Sequence, residues 1–224
     1  GSQNVNTIKE DMCASKEPNK LKNYHNVKVS FEVYPKADNQ ADIEYIIEEG
    51  DKFHIKKIEF VGNEAFSSSK LKGLMSSSEK GLLSFITSSG DLNQEQLVQD
   101  VARLSAFYQN QGYVQARVGE PDVIFEEDGI LISIRLVEGP RFKVGKVSMA
   151  GDLILAEEQL LQKLKISEEE YYNRDTLRLD VIELTDIYSD EGYAYADIAP
   201  RIDQDPEQLI VNITFDINKG KQVY

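Results

Sequence analysis

The chain has 224 residues, an apolar fraction of 41% and a formal net charge of −14, the composition of a folded protein rather than a disordered one. The acidity excludes nucleic acid as a partner, because that binding needs clustered Lys and Arg to displace phosphate counterions; Lys20 with Lys22 and Lys56-Lys57 are short and flanked by acids or apolar residues. Cys13 is the single cysteine, so an internal disulfide is excluded, and no apolar run approaches the roughly 20 residues of a membrane-spanning helix.

Gly1-Ser2 reads as a cloning scar, so the chain is expected to be a piece of something longer. Residues 4–22 are weakly helical around Ile8 and Met12, and Pro18 would break that helix. Asn23 is suited to a left-handed helix end. Val27 to Val33 alternates and predicts a strand; Lys36 to Gln40 is a polar turn. Ile43, Tyr45 and Ile47 predict a second strand with one buried face, closed by Glu49-Gly50.

A second unit opens with a strand through Ile55, Ile58 and Phe60, ending at Gly62-Asn63. Ser67 is a good N-cap for a short helix carrying Leu71, Leu74 and Met75. A long connection, Ser76 to Leu92, contains the apolar segment Leu82, Leu83, Phe85, Ile86. From Gln94 to Gly112, apolar Leu97, Val101, Leu104, Phe107 and Tyr108 recur every three or four positions, the pattern of a one-faced helix closed by a glycine. A strand is then expected from Tyr113 to Val118, limited by Pro121. After the turn Glu127-Asp128-Gly129, Ile130, Ile132, Ile134 and Leu136 alternate, and Glu138-Gly139-Pro140 ends the unit.

The pattern returns. Phe142, Val144, Val147, Met149 and Gly151 repeat the first strand at an offset of 89. A short helix with Leu160, Leu161 and Leu164 follows. Asn173, Leu177, Val181, Leu184, Ile187, Tyr188, Gly192 and Tyr193 repeat the long helix at an offset of 80, so the connection before it is nine residues shorter. A strand over Tyr193–Ile198, a turn at Asp205-Pro206 and the alternating Leu209, Val211, Ile213, Phe215 and Ile217 complete it, and Asn218-Lys219-Gly220 closes it. The chain is therefore a repeat protein.

Each full unit reads strand–helix–helix–strand–strand, an α+β arrangement. The last strand alternates most cleanly and belongs in the centre of a three-stranded mixed sheet. A tight turn makes it antiparallel to the strand before it; the first strand lies on its other side, parallel, joined by the helical crossover. The order is 1-3-2, with two helices on one face and residues such as Ser133, Arg135, Asn212, Thr214 and Asp216 on the other. Residues 1–50 hold only a second helix and two strands of such a unit and form a partial domain. Residues 51–139 and 140–220 form complete ones, and 221–224 begin the next.

Catalytic and metal readings find no support in the residues. His25 and His54 sit at strand edges without Cys or paired carboxylates nearby. Ser67-Ser68-Ser69 and Ser76-Ser77-Ser78 lack a base, Glu168-Glu169-Glu170 reads as a solvated turn, and the glycines are spaced as turns and helix ends, not as a phosphate cradle. No enzyme, metal or cofactor is expected.

Three short motifs carry a resemblance: Ile58-Glu59-Phe60-Val61-Gly62-Asn63, Phe107-Tyr108 with Gly112-Tyr113, and Val137-Glu138-Gly139-Pro140-Arg141-Phe142. Val147 to Gly151-Asp152, Ile187-Tyr188 with Gly192-Tyr193, and Ile217 to Gly220 echo them. The unit resembles the POTRA (polypeptide-transport-associated) domain. The tandem looks like the periplasmic arm of an outer-membrane protein assembly factor: the end of its second domain, then its third and fourth. The resemblance implies a periplasmic, non-enzymatic protein that binds unfolded outer-membrane proteins and accessory lipoproteins and carries a C-terminal membrane barrel elsewhere in the full-length chain. A secretion or translocation pore of the same superfamily is the alternative; a hydrolase or glycan-binding module is a more distant one.

The first and second strands of each sheet are edges with unpaired N–H and C=O groups, able to accept an extended peptide as an extra strand. The accepting edge is expected at Tyr113, Val114, Gln115, Ala116, Arg117 and Val118, with Leu82, Leu83, Phe85 and Ile86 as a candidate partner loop. Pro140 restricts the junction at Gly139, which predicts limited hinge motion there and more at Gly50.

Overall fold

The computed structural model describes residues 24–25, 28–36, 41–48, 51–52, 54–81, 91–126 and 128–223. The helix expected within residues 4–22, the hinge residue Gly50 and the loop residues Leu82, Leu83, Phe85 and Ile86 lie outside them. By Cα proximity the chain divides into two compact units, 1–58 with 77–94 and 123–132, and 59–76 with 95–122 and 133–224. The second therefore holds nearly all the long helix of the middle repeat together with the whole last repeat.

In the first unit, β1 (Tyr24–His25) pairs antiparallel with β4 (Asp51–Lys52), and β2 (Lys28–Pro35) with β3 (Ala41–Glu48), from Lys28 opposite Glu48 to Pro35 opposite Ala41. Ile43 and Tyr45, expected on a buried face, are exposed. The alternation is real, but two strands are too few to cover a face. The middle repeat's sheet starts in this unit: β5 (Ile55–Val61), β6 (Arg117–Val118), β7 (Asp122–Glu126) and β8 (Gly129–Val137) form a sheet of order β5-β8-β6, with β7 also on β8.

In the second unit, the short helix α1 (Ser68–Lys72) is capped by the Ser67 side chain, which accepts from the Lys70 N–H at 3.3 Å. The long helix α2 (Gln94–Asn110) buries Leu97, Asp100, Leu104 and Tyr108. The last repeat comprises β9 (Lys143–Gly151), α3 (Glu157–Leu161), a 3-10 turn (Ile166–Glu168), α4 (Arg174–Asp190), β10 (Asp197–Asp205) and β11 (Ile210–Asn218). Its sheet order is β10-β11-β9, with β11 parallel to β9 and antiparallel to β10; the central place of the most regular strand is the one the alternation implied. Val211, Ile213, Phe215 and Ile217 of β11 pack with Phe142, Leu160, Ile166, Leu184 and Tyr188 in one core. A register shift between Val211 and Ile213 marks a bulge opposite Gly145-Lys146, where the Asn212 side chain accepts the Lys146 N–H at 2.8 Å.

Both long helices end alike. Gly112 (φ +88°) and Gly192 (φ +84°) take the left-handed conformation. The next residue's N–H reaches back five positions, Tyr113 to the Tyr108 carbonyl at 3.0 Å and Tyr193 to that of Tyr188 at 2.9 Å, with each pair of rings in contact. This is a Schellman closure with its apolar contact. It corrects the expectation of strands starting at Tyr113 and Tyr193. Tyr113, Val114, Gln115 and Ala116 form a turn closed by the Ala116 N–H on the Tyr113 carbonyl (3.1 Å), and Tyr193–Ala196 repeats it at 3.0 Å. The aromatic residue after the glycine closes the helix, so the strands begin only at Arg117 and Asp197.

Candidate functional site

The edges of the sheets in the middle and last repeats differ in what they leave open. The first-strand edges, expected to be free, are largely occupied by the chain itself. On β5 the Ile58 N–H is held by Glu79 Oε1 at 2.8 Å and the Ile55 carbonyl accepts from the Lys80 N–H at 2.8 Å. On β9 the Val144 N–H donates to the Glu170 carbonyl (3.2 Å) and the Met149 N–H to Glu157 Oε1 (2.9 Å). A depression of about 430 Å³ beside β9, lined among others by Val147, Leu161 and Leu164, thus adjoins an edge already satisfied on both sides of Val147. The physical reason is the crossover: the chain leaving the first strand returns past it and supplies the missing partners.

Among the described residues, the second-strand edge of the last repeat is open. In the middle repeat the edge is broken: β6 pairs through Arg117 opposite Val137 and Val118 opposite Leu136, the Gly119 N–H adds a bond to the Arg135 carbonyl (2.8 Å), and the strand resumes only at Asp122, past Pro121. Of the six residues expected to form an accepting edge, Arg117 and Val118 alone are strand. In the last repeat β10 is continuous for nine residues and terminal in its sheet. Pro200, opposite Phe215, has no N–H for the ladder and so occupies an outward-facing position. By alternation Ile198, Ile202 and Gln204 also turn their backbone groups to the free edge. Their side chains share the helix-covered face, since Ile198 and Ile202 lie opposite buried Ile217 and Ile213. Only Ile198 is covered; Pro200, Ile202 and Gln204 are exposed.

The turn Tyr113–Ala116 does not extend this edge; it seats the last repeat. Val114 packs against that repeat's core, and the Gln115 amide donates to Gln204 Oε1 at 3.1 Å. The Phe142 N–H donates to the Gly112 carbonyl (2.8 Å) and Arg141 Nε to that of Gln111 (2.7 Å), with the Arg141 guanidinium 3.4 Å above the Tyr171 ring. Arg174 Nη1 donates to Gln109 Oε1 (2.8 Å) and the Asp175 N–H to Asn110 Oδ1 (3.1 Å). Gly139 (φ +68°) and Pro140 therefore lie in a junction spanned by several polar contacts. The same geometry recurs at Val223, whose N–H donates to the Gly192 carbonyl (2.9 Å), and at Gln222, which donates to the Glu191 carbonyl (3.0 Å).

Two buried carboxylates escaped the sequence reading. Asp180 accepts the N–H groups of Lys165 (2.9 Å) and Ile166 (2.8 Å), and Asp100 accepts that of Ser76 (2.7 Å) and pairs with Arg103. Each ties the inter-helix connection to its long helix. The signal was present as a shared Asp at the offset of 80, but an acid inside an apolar stripe is easily read as surface. Glu138 of the Val-Glu-Gly-Pro motif is structural as well, accepting from the Tyr108 hydroxyl (2.7 Å) and the Ala65 N–H (2.9 Å). Burial, then this carboxylate, pushes the Tyr108 hydroxyl far above the usual phenol range. His54 lies 3.1 Å from Asp91. Among the described residues no group of three or more His, Cys, Asp or Glu is placed to hold a metal, and no helix is long and apolar enough to cross a membrane.

The chain is similar to known proteins. The POTRA family model (surface antigen variable number repeat) matches residues 53–139 and again 142–220. The outer membrane protein assembly factor BamA of Nitratidesulfovibrio vulgaris is 38% identical over 80% of the chain, and that of Neisseria meningitidis serogroup B is 30% identical over 99%. These matches cover 23% and 28% of the respective relatives, so the chain spans about a quarter of their length. The crystal structure of Haemophilus influenzae BamA POTRA3-5 aligns with a TM-score of 0.61 at 20% identity, covering 76% of this chain and 67% of that one, a likeness of fold.

Proposed function

The chain belongs to the POTRA family, and from that premise we propose that it is part of the periplasmic arm of an outer-membrane protein assembly factor. In this reading it receives unfolded outer-membrane polypeptides as an added β-strand, docks accessory lipoproteins, and is joined in the full-length protein to a membrane barrel. Its repeats correspond to residues 51–139 and 140–220, following a partial one at 1–50. The relatives are named as assembly factors, and their role is non-enzymatic. The observation that carries the strand-addition reading is the open edge of β10, supplemented by the shorter edge of β6 and β7. Backbone pairing ignores side-chain identity, which suits a protein handling many clients. The junction contacts around Arg141 favour limited hinge motion at Gly139 and Pro140.

Replacing Ile202 with proline tests this directly. Its N–H faces outward, so the change removes an edge donor and leaves the β10–β11 ladder whole, as Pro200 already does. Crosslinking of an unfolded outer-membrane protein to β10 should fall sharply, while the thermal transition stays in place. Crosslinking that persists unchanged in the Ile202→Pro protein refutes strand addition at this edge. A proline at Gln115, by contrast, would fall in the turn and report on the junction.

A further inference from the structure

Beside the C-terminal half of β10 lies a cavity of about 310 Å³ lined by Gln109, Val114, Tyr172, Arg174, Ile202 and Gln204. Its polar groups are unevenly committed. Gln109 Oε1 is occupied by Arg174, and Gln204 Oε1 by Gln115. Arg174 makes no ion pair among the described residues, since its neighbour Asp175 is held by Arg178 at 3.0 Å, and one contact to Gln109 leaves most of its five N–H groups unused. Tyr172 is only 4% exposed, its ring is part of the core, and its hydroxyl has no hydrogen-bond partner among the described residues. A phenol is protonated at neutral pH, and burial raises its pKa further, so the hydroxyl is available as a donor. With both glutamine oxygens engaged, the cavity offers donors: a guanidinium, a phenol O–H and two amide NH₂ groups, between apolar walls of Val114 and Ile202. A group that only accepts fits such a set, and among the side chains and chain ends of a polypeptide the one that does so with a charge to match the guanidinium is a carboxylate.

The strand geometry brings one there. Ile202 and Gln204 turn their backbone to the free edge and their side chains to the cavity. A strand laid along β10 therefore directs every second side chain onto the same face, beside these two residues. We propose that the cavity is a carboxylate subsite for the strand added to β10, filled by an Asp or Glu side chain or by the terminal carboxylate of the client. The inference rests on the strand-addition reading and gives that otherwise sequence-blind edge a point of selectivity.

The test uses the whole 224-residue chain and three synthetic ten-residue peptides of alternating Val and Thr: one blocked at both ends with a central Glu, one identical but with Gln, and one with Gln and a free C-terminal carboxylate. A charge-assisted hydrogen bond is worth enough that the Glu or the free-carboxylate peptide should bind about tenfold more tightly than the blocked Gln peptide. Arg174→Gln and Tyr172→Phe should each shrink that preference towards one by weakening the carboxylate peptides much more than the blocked Gln peptide. Preference in the Glu arm alone identifies a side chain as the source, and preference in the free-carboxylate arm alone a chain end. Equal binding of all three peptides, lost in Ile202→Pro, overturns the subsite and leaves the edge reading standing. A carboxylate preference that survives both substitutions also overturns it. If no peptide binds at β10, the edge reading falls and the subsite with it.

Discussion

The middle and last repeats fold the same way but finish their outer strands differently. The last builds β10 as one nine-residue strand with a proline in an outward position. The middle divides the equivalent strand into Arg117–Val118 and Asp122–Glu126 around Pro121. Each carries a proline in or beside this strand, but at a different register: Pro200 sits within β10 and removes one donor from its free edge, whereas Pro121 falls between the two pieces and belongs to neither. The difference lies in how much rim remains. In β10 the proline costs one donor and preserves the ladder; in the middle repeat the strand itself is interrupted. Edge protection and edge availability are thus set by the register of one residue, against a shared core.

The shared core predicts the largest effects, and they should match in the two repeats. Leu104 and Leu184 are both fully buried on the long helices, so Leu104→Ala and Leu184→Ala should each cost ~2–5 kcal/mol, measurable by urea unfolding. A large loss in one repeat and none in the other would break the equivalence. Next come Gly62 and Gly151, with φ of +92° and +90° and an added Cβ 2.2 and 2.1 Å from the carbonyl oxygens of Leu136 and Ile217. Alanine at either should destabilise by about 1–3 kcal/mol from overpacking alone, with the left-handed conformation adding to it. Thermal melts of the two variants should shift alike.

Smaller effects probe what the repeats do not share. Arg141 stacks on Tyr171 and donates to Gln111, whereas the corresponding place after the last repeat holds Gln222. Arg141→Ala should cost about 0.5–2 kcal/mol, the range for a cation–π contact, and broaden the distribution of shapes in small-angle scattering; an unchanged distribution would show that the stack does not restrain the junction. The smallest stability change is expected for Pro200→Val, within about 0.5 kcal/mol for an exposed site. It restores an edge donor, so self-association in sedimentation should rise; a protein that stays monomeric would mean that the proline does not guard β10.

Much of the fold was legible in the residue pattern alone. Alternation placed β8 and β11 in the centre of their sheets, the helical period gave α2 and α4, and Ser67 marked a helix start by its capping chemistry. The candidate site was read less well. Tyr113 and Tyr193 look like strand residues because aromatics favour strands, yet each is held by the carbonyl five positions back. Asp100 and Asp180 look like surface acids, yet they hold the backbone of a distant connection.

The sequence by itself determined the repeat, the order of its elements and the strand that lies at the centre of each sheet. These follow from the spacing of apolar side chains and from turn chemistry, which act between near neighbours. Only the tertiary structure decided which sheet edges stay open, how the junction is seated and where the donor-lined cavity forms. Each of these depends on groups remote in sequence — Glu79 on Ile58, Glu157 on Met149, Arg174 on Gln109 — meeting one another once the chain has crossed over.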